Sequence, residues 1–179
     1  MHLLVLIGYR ATGKTTLASL LAERLAWDWI DADVEIEARA RKPIARIFAE
    51  DGEPAFRDLE AQVIHDLCRR ERLVLAAGGG APMRAESRHT MRASGKVVWL
   101  KALPETILAR MSGDATTAGR RPSLTRKGPL DEIVHLLAAR EPVYREASDL
   151  EIDTESKMPE EVTGEILDRL DLPAAGDSA

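Results

Sequence analysis

The stretch Leu3-Leu4-Val5-Leu6-Ile7-Gly8-Tyr9-Arg10-Ala11-Thr12-Gly13-Lys14-Thr15-Thr16 decides how this chain is read. Five apolar residues in a row, closed by a glycine, describe a strand buried on both faces, as strands are in parallel sheets. The eight residues from Gly8 to Thr15 then fit G-x-x-x-x-G-K-[ST], and a helical segment follows from Lys14 to about Ala26. Phosphate groups need several donors at close range. A glycine-rich turn running into a helix N-terminus supplies them as backbone N–H groups, here across Ala11, Thr12, Gly13, Lys14, Thr15 and Thr16. Lys14 adds a point charge near the β- and γ-phosphates, and the Thr15 hydroxyl can ligate Mg²⁺. A simple glycine turn needs neither the lysine nor the hydroxyl. The stretch therefore implies a nucleoside triphosphate ligand without naming a reaction.

Outward from this loop, short apolar runs recur at Trp27–Ile30, Leu73–Ala76, Val97–Leu100 and, more weakly, Leu150–Ile152. Longer amphipathic stretches separate them. That alternation predicts an α/β domain whose parallel strands are buried on both faces, with helices on both sides. One helix is predicted from about Glu53 to Arg70, with Phe56, Leu59, Val63 and Leu67 on its apolar side and Pro54 in its first turn. Another runs from about Pro129 to Ala147, with the stripe Ile133, Leu136, Leu137 and Tyr144. Residues 112–128 are rich in Gly, Ser, Thr and Arg, lack apolar periodicity and read as a mobile segment. The tail 173–179 reads as disordered, which leaves one domain over 1–172.

Bulk composition narrows the function classes. At 179 residues, 45% apolar and 31% charged, the chain has the makings of one folded domain, and with 4% aromatics its core must rest on Leu, Ile, Val and Ala. A net charge of −5 disfavours a nucleic-acid partner. Any anionic ligand must then be held by a local cluster of positive charge. The single cysteine, Cys68, allows no internal disulfide and suits a reducing compartment, so a cytoplasmic location is expected. No run is long enough to cross a bilayer. The histidines at 2, 65, 89 and 135 have no ligand spacing and read as structural or solvated.

The rest of the chain limits which phosphate-loop protein this is. A guanine-reading Asn-Lys-x-Asp is impossible, because the sequence contains no asparagine. A motor-type ATPase would place an acidic residue at the end of a later buried strand. Here Leu73–Ala76 runs into Ala77 and three glycines, and Val97–Leu100 ends in Lys101. Carboxylates stand instead at Asp31 and Asp33, after the second run. Alternation along an extended chain would put both on one side, at the sheet edge where ligands of open α/β folds bind. One would assist Mg²⁺ and the other would orient or deprotonate an acceptor hydroxyl. Against this stands helix capping, for which Asp is well suited.

Gly78-Gly79-Gly80 follows a strand and is costly in conformational entropy unless a ligand or another backbone comes close; a tight turn is the plainer alternative. Arg140 interrupts the apolar stripe of its helix, so it is either snorkelling or paired with something buried. Arg57 stands beside Phe56, one turn from Glu60, and Arg121 stands beside Arg120 and Pro122. Guanidinium forks match the two oxygens of carboxylates and phosphates, which makes these arginines the sensible holders of an anionic substrate. For any one of them, spacing alone equally describes a surface salt bridge.

Taken together, these pieces resemble the shikimate kinases over about Leu3 to Leu170. The resemblance rests on the phosphate loop, Asp31-Ala-Asp33, Ile44 to Phe48 within PIARIFAEDGE, Phe56-Arg57 with Glu60, GGGA from 78 to 81, Arg121-Pro122, and REPVYRE from Arg140. It implies a three-layer P-loop kinase fold on a five-stranded parallel sheet with a mobile lid at about 112–128. It also implies ATP-dependent phosphorylation of the 3-hydroxyl of shikimate, in aromatic amino-acid (chorismate) biosynthesis, with Mg²⁺. Asp33 would be the base, and Asp31 would sit with Thr15 near the metal. Arg57 and Arg140 would grip the substrate carboxylate, and Gly79 and Gly80 would contact ring hydroxyls. Ile44, Phe48, Phe56 and Pro122 would form apolar walls, Arg121 would join Lys14 at the transferring phosphoryl, and Arg110 and Pro159 would sandwich adenine. Two residues depart from the family pattern. Ala11 stands where glycine is usual, and Ser123 stands where leucine is usual. The expected partners are ATP and shikimate only, on a monomer. The alternatives are a kinase of the gluconate type, which would lack the combined Asp-x-Asp, triple glycine and Arg57, and a non-catalytic nucleotide-binding paralogue, which would have lost Lys14, Asp33 or Arg121.

Overall fold

The first apolar run becomes the central strand of a five-stranded sheet in which every pairing is parallel. The structure is a computed structural model and describes residues 3–113 and 128–173. β1 (Leu3–Ile7) lies between β3 (Leu73–Ala76) and β4 (Lys96–Lys101), with β2 (Asp28–Asp31) and β5 (Leu150–Asp153) outside them, in the order β2-β3-β1-β4-β5. Helices connect the strands: α1 (Lys14–Leu25), α2 (Ala32–Ala40), α3 (Ile44–Glu50), α4 (Gly52–Leu67), α5 (Ala85–Ser94), α6 (Pro104–Gly113), α7 (Pro129–Ala147) and α8 (Pro159–Arg169). A 3₁₀ turn, Ala81–Met83, leads from β3 towards α5.

The side-chain period of two divides each central strand between two cores. Leu3, Val5, Ile7, Leu75, Val97 and Trp99 face one side, where they meet Ile36, Phe56, Val63, Met91 and Tyr144 from the helices. Leu4, Leu6, Val74, Val98 and Leu100 face the other side, against Leu17 and Leu21 of α1 and Val162 and Ile166 of α8. Three layers result, as the resemblance implied. A smaller apolar group of Tyr9, Ile107 and Ile133 ties the phosphate loop to α6 and α7.

Two expectations need correction. The strands at the sheet edges are not buried on both faces. Every residue of β1 and β3 is buried, but β2 begins one residue later than predicted and leaves Trp29 41% exposed, and β5 is buried only at Leu150 and Ile152. An edge strand has one neighbour, so part of its side-chain surface meets solvent. The helix predicted from Glu53 to Arg70 runs from Gly52 to Leu67, with Cys68 as its C-cap. The predicted lid falls almost wholly outside the described residues, which end at Gly113 and resume at Gly128.

Candidate active site

The C-terminal ends of the strands gather the sequence-predicted residues at one edge of the sheet. Gly8 follows β1, Asp31 closes β2, and Gly78-Gly79-Gly80 follow β3. Gly8 has φ +142°, and a Cβ there would lie 2.5 Å from the Leu100 carbonyl oxygen, so only glycine lets the loop leave beside β4. The loop then turns through Ala11 and Gly13, both at positive φ, into α1. Ala11 takes φ +60°, the left-handed region that favours glycine. The Thr12 hydroxyl donates to the Tyr9 carbonyl at 2.8 Å, and the Lys14 ammonium donates to the carbonyls of Gly8 and Tyr9 at 3.0 and 2.7 Å. Lys14 is thus folded along the loop it belongs to.

Thr15, at the second position of α1, donates its hydroxyl to Asp31 Oδ2 at 2.7 Å. Two oxygens that close can enter one coordination sphere. No group of three or more His, Cys, Asp or Glu able to hold a metal occurs among the described residues. That donor set fits Mg²⁺, which keeps several waters and takes one or two protein oxygens beside nucleotide phosphates.

Asp31 also accepts the Asp33 N–H through Oδ1, at 2.9 Å, as the N-cap of α2. Capping and proximity to Thr15 are therefore both true of Asp31. The alternation argument for Asp31 and Asp33 fails, because the chain does not stay extended. It turns into α2 at Ala32, and Asp33 lies in the first helical turn.

The glycine run is both of the things its sequence suggested. It is a turn, closed by Ala81 N–H to the Gly78 carbonyl at 3.0 Å, and another group crowds it. A Cβ on Gly80 would overlap the Arg57 guanidinium. Arg57 is held there by Glu60 at 2.8 Å and by Glu53 at 3.1 Å, and lies 5.1 Å over the Phe56 ring. Burial is the largest influence on its pKa and works downward, but the Glu60 and Glu53 carboxylates together outweigh it and the net shift is upward. Phe56 and Phe48, expected as apolar walls, have ring centroids 4.6 Å apart.

Arg140 is placed differently. It is half-buried on α7 and lies 5.7 Å over the ring of Tyr9, in the phosphate loop. Among the described residues no carboxylate pairs with it, whereas Arg10, 5.6 Å over the same ring, is paired at 3.2 Å with Glu132 of α7. An arginine presented without a counter-ion beside a phosphate-binding loop is suited to an anionic ligand. Arg110 of α6 donates to Thr154 Oγ1 and to the Thr154 carbonyl, both at 3.2 Å, and reaches the Ala11 carbonyl at 3.5 Å. Pro159 opens α8 after the loop that Thr154 begins. Arg121, Pro122 and Ser123 lie outside the described residues.

Sequence reasoning missed Tyr9 as the platform for Arg140 and Tyr144 as a polar residue. The Tyr144 hydroxyl, fully buried, donates to the Gly79 carbonyl at 2.6 Å. The four-residue spacing of Arg140 and Tyr144 was a signal for their sharing a helix face. Nothing local pointed to Gly79.

A phosphate loop between parallel strands, a carboxylate beside its hydroxyl and cationic groups across the same edge define the class of small P-loop phosphotransferases. The family profile described as shikimate kinase matches residues 10–171, and the chain belongs to that family. A shikimate kinase of Rhodopirellula baltica is 46% identical over 164 residues, covering 92% of this chain and 88% of that protein. One of Pseudomonas syringae pv. syringae is 44% identical over 174 residues, covering 97% and 99%. Among solved structures, the shikimate kinase of Acinetobacter baumannii in complex with shikimate superposes with a TM-score of 0.88 at 34% identity, over 95% of this chain and 93% of that one.

Proposed function

We propose that this chain transfers the γ-phosphoryl of ATP to the 3-hydroxyl of shikimate, giving shikimate 3-phosphate and ADP, in the biosynthesis of aromatic amino acids. Family membership supports the reaction. The observation that carries the acceptor is Arg140, a half-buried guanidinium without a carboxylate partner among the described residues, held on the ring of a phosphate-loop residue.

In this reading the loop N–H groups from Ala11 to Thr16 hold the phosphates, and Lys14 leaves its loop carbonyls for the β- and γ-oxygens. Thr15 and Asp31 would hold Mg²⁺, which neutralises charge between the β- and γ-phosphates when bound. Arg57 and Arg140 take the acceptor carboxylate and thereby point one ring hydroxyl at the phosphoryl group. Gly79 and Gly80 read the remaining hydroxyls through the backbone. Asp33 accepts the proton as the acceptor oxygen bonds to the γ-phosphorus and the bond to the ADP oxygen breaks. Arg121 is assigned to the transferring phosphoryl, and Arg110 and Pro159 to adenine, on the resemblance. Positioning and charge neutralisation do the catalytic work. The protein acts as a cytoplasmic monomer with no partner beyond its two substrates. In support of that location, no helix among the described residues is long and apolar enough to cross a membrane.

The test is ADP release with Mg-ATP and shikimate, quinate, gluconate or no acceptor. Release dependent on shikimate is expected. Release with gluconate instead would transfer the site to another acceptor class. No release with any of them, despite ATP binding, would mean a nucleotide-binding module without catalysis.

A further inference from the structure

We propose that Tyr144 is a positioning residue that sets which way the Gly79–Gly80 peptide faces, and so aims the Gly80 N–H at the acceptor. The inference rests on the shikimate reading above, in which that peptide contacts the substrate.

Gly78 to Ala81 form a four-residue turn closed by the Ala81 N–H and the Gly78 carbonyl, 3.0 Å apart. Gly80, its third residue, has φ −95° and ψ −15°, the values of a type I turn. A type II turn connects the same ends with the central peptide rotated by about half a revolution, and it requires positive φ at that third position. Glycine adopts either sign of φ without steric cost, so the backbone itself does not choose between the two. The central peptide here carries the Gly79 carbonyl and the Gly80 N–H, which point in opposite directions across a planar trans bond.

The Tyr144 hydroxyl makes that choice. It donates to the Gly79 carbonyl at 2.6 Å from a fully buried side chain whose ring lies 5.7 Å from that of Trp99. Rotating the peptide would break this buried hydrogen bond. With the carbonyl turned towards α7, the Gly80 N–H faces the other way. It donates to no backbone carbonyl among the described residues, although Gly80 is buried. The Arg57 guanidinium packs against the Gly80 Cα. Arg140 lies one helical turn before Tyr144 on α7. One helix thus carries a cation of the acceptor site and fixes the orientation of the backbone that reads it.

The experiment is Tyr144→Phe, with KM for shikimate, KM for ATP, kcat and Tm measured beside the wild type. The shikimate KM should rise about five- to tenfold, the size of one buried hydrogen bond, while the ATP KM stays within about twofold. Ile166→Val, a core trim on α8, serves as the control that loses stability without moving either KM. A lowered Tm with an unchanged shikimate KM would overturn the proposal and leave Tyr144 as core only. If Tyr144→Phe does not fold, Tyr9→Phe labelled with 3-fluorotyrosine leaves Tyr144 as the sole tyrosine. Its ¹⁹F resonance should shift on adding shikimate and not on adding ADP, and no shift with shikimate would overturn the proposal. Wild-type enzyme that fails to phosphorylate shikimate would refute the function, whereas an active wild type with a neutral Tyr144→Phe refutes this inference alone.

Discussion

Ala11 is a non-glycine residue in the left-handed region, inside the phosphate loop itself. At φ +60° an alanine costs roughly 1 kcal/mol that a glycine would not. That cost falls on every state in which the loop keeps this conformation. Ala11→Gly is therefore expected to change stability by about +0 to 1 kcal/mol, since glycine's own entropy offsets the relief. Its ATP KM should stay within about twofold. A larger change in KM would mean that the loop takes another shape on the phosphates. Cys68 offers a second test at this scale. Burial pushes its thiol up to about 11 from the ordinary 9.0. The folded state then holds the proton more tightly than the unfolded one. The associated stability is complete below pH 9 and is lost as pH rises through 11. The native protein should resist thiol reagents at pH 8 and react only on unfolding, and rapid native reaction would contradict the burial.

At the scale of elements, α4 and α7 approach the strand ends from the same layer and bring Arg57 and Arg140 to bear by different means. α4 holds Arg57 in a ladder, with Glu53 one turn before it and Glu60 one turn after. Its placement is thus set from within its own helix. Among the described residues, α7 holds Arg140 on an aromatic face, which supplies orientation and no neutralising charge. Arg57→Ala should raise the shikimate KM about tenfold to a hundredfold, the worth of a hydrogen bond to a charged group, and spare the ATP KM. An unchanged shikimate KM would remove Arg57 from the carboxylate site. The element boundaries were legible wherever a local signal set them. α1 starts at Lys14 as read from the sequence and ends at Leu25, one residue before the expected Ala26, and Pro129 opens α7 as read. The reading of β2 into α2 failed where side-chain alternation competed with a cap. The Asp31 carboxylate bonds the Asp33 N–H and ends the strand, which overrides the extended conformation that alternation assumes.

For the whole molecule, the proposed site draws on the C-terminal ends of β1, β2 and β3, so ligands should stabilise the entire fold. At a hundred times Kd, shikimate is expected to raise Tm by roughly 5–10 °C, with Mg-ATP adding to it. Arg140→Ala should abolish the shikimate shift and keep the nucleotide shift. Loss of both would show that Arg140 supports the fold and not the acceptor. The sequence by itself determined the class of fold and the phosphate chemistry. Strand, loop and helix from Leu3 to Leu25 are contiguous, and their apolar run, glycines, lysine and hydroxyl act on neighbours a few residues away. Only the tertiary structure decided that Thr15 meets Asp31, that Arg140 lies on Tyr9 and that Tyr144 holds Gly79. Those pairs are joined by parallel strand order and helix packing, and no local pattern records which distant side chains a packed interior brings within a hydrogen bond.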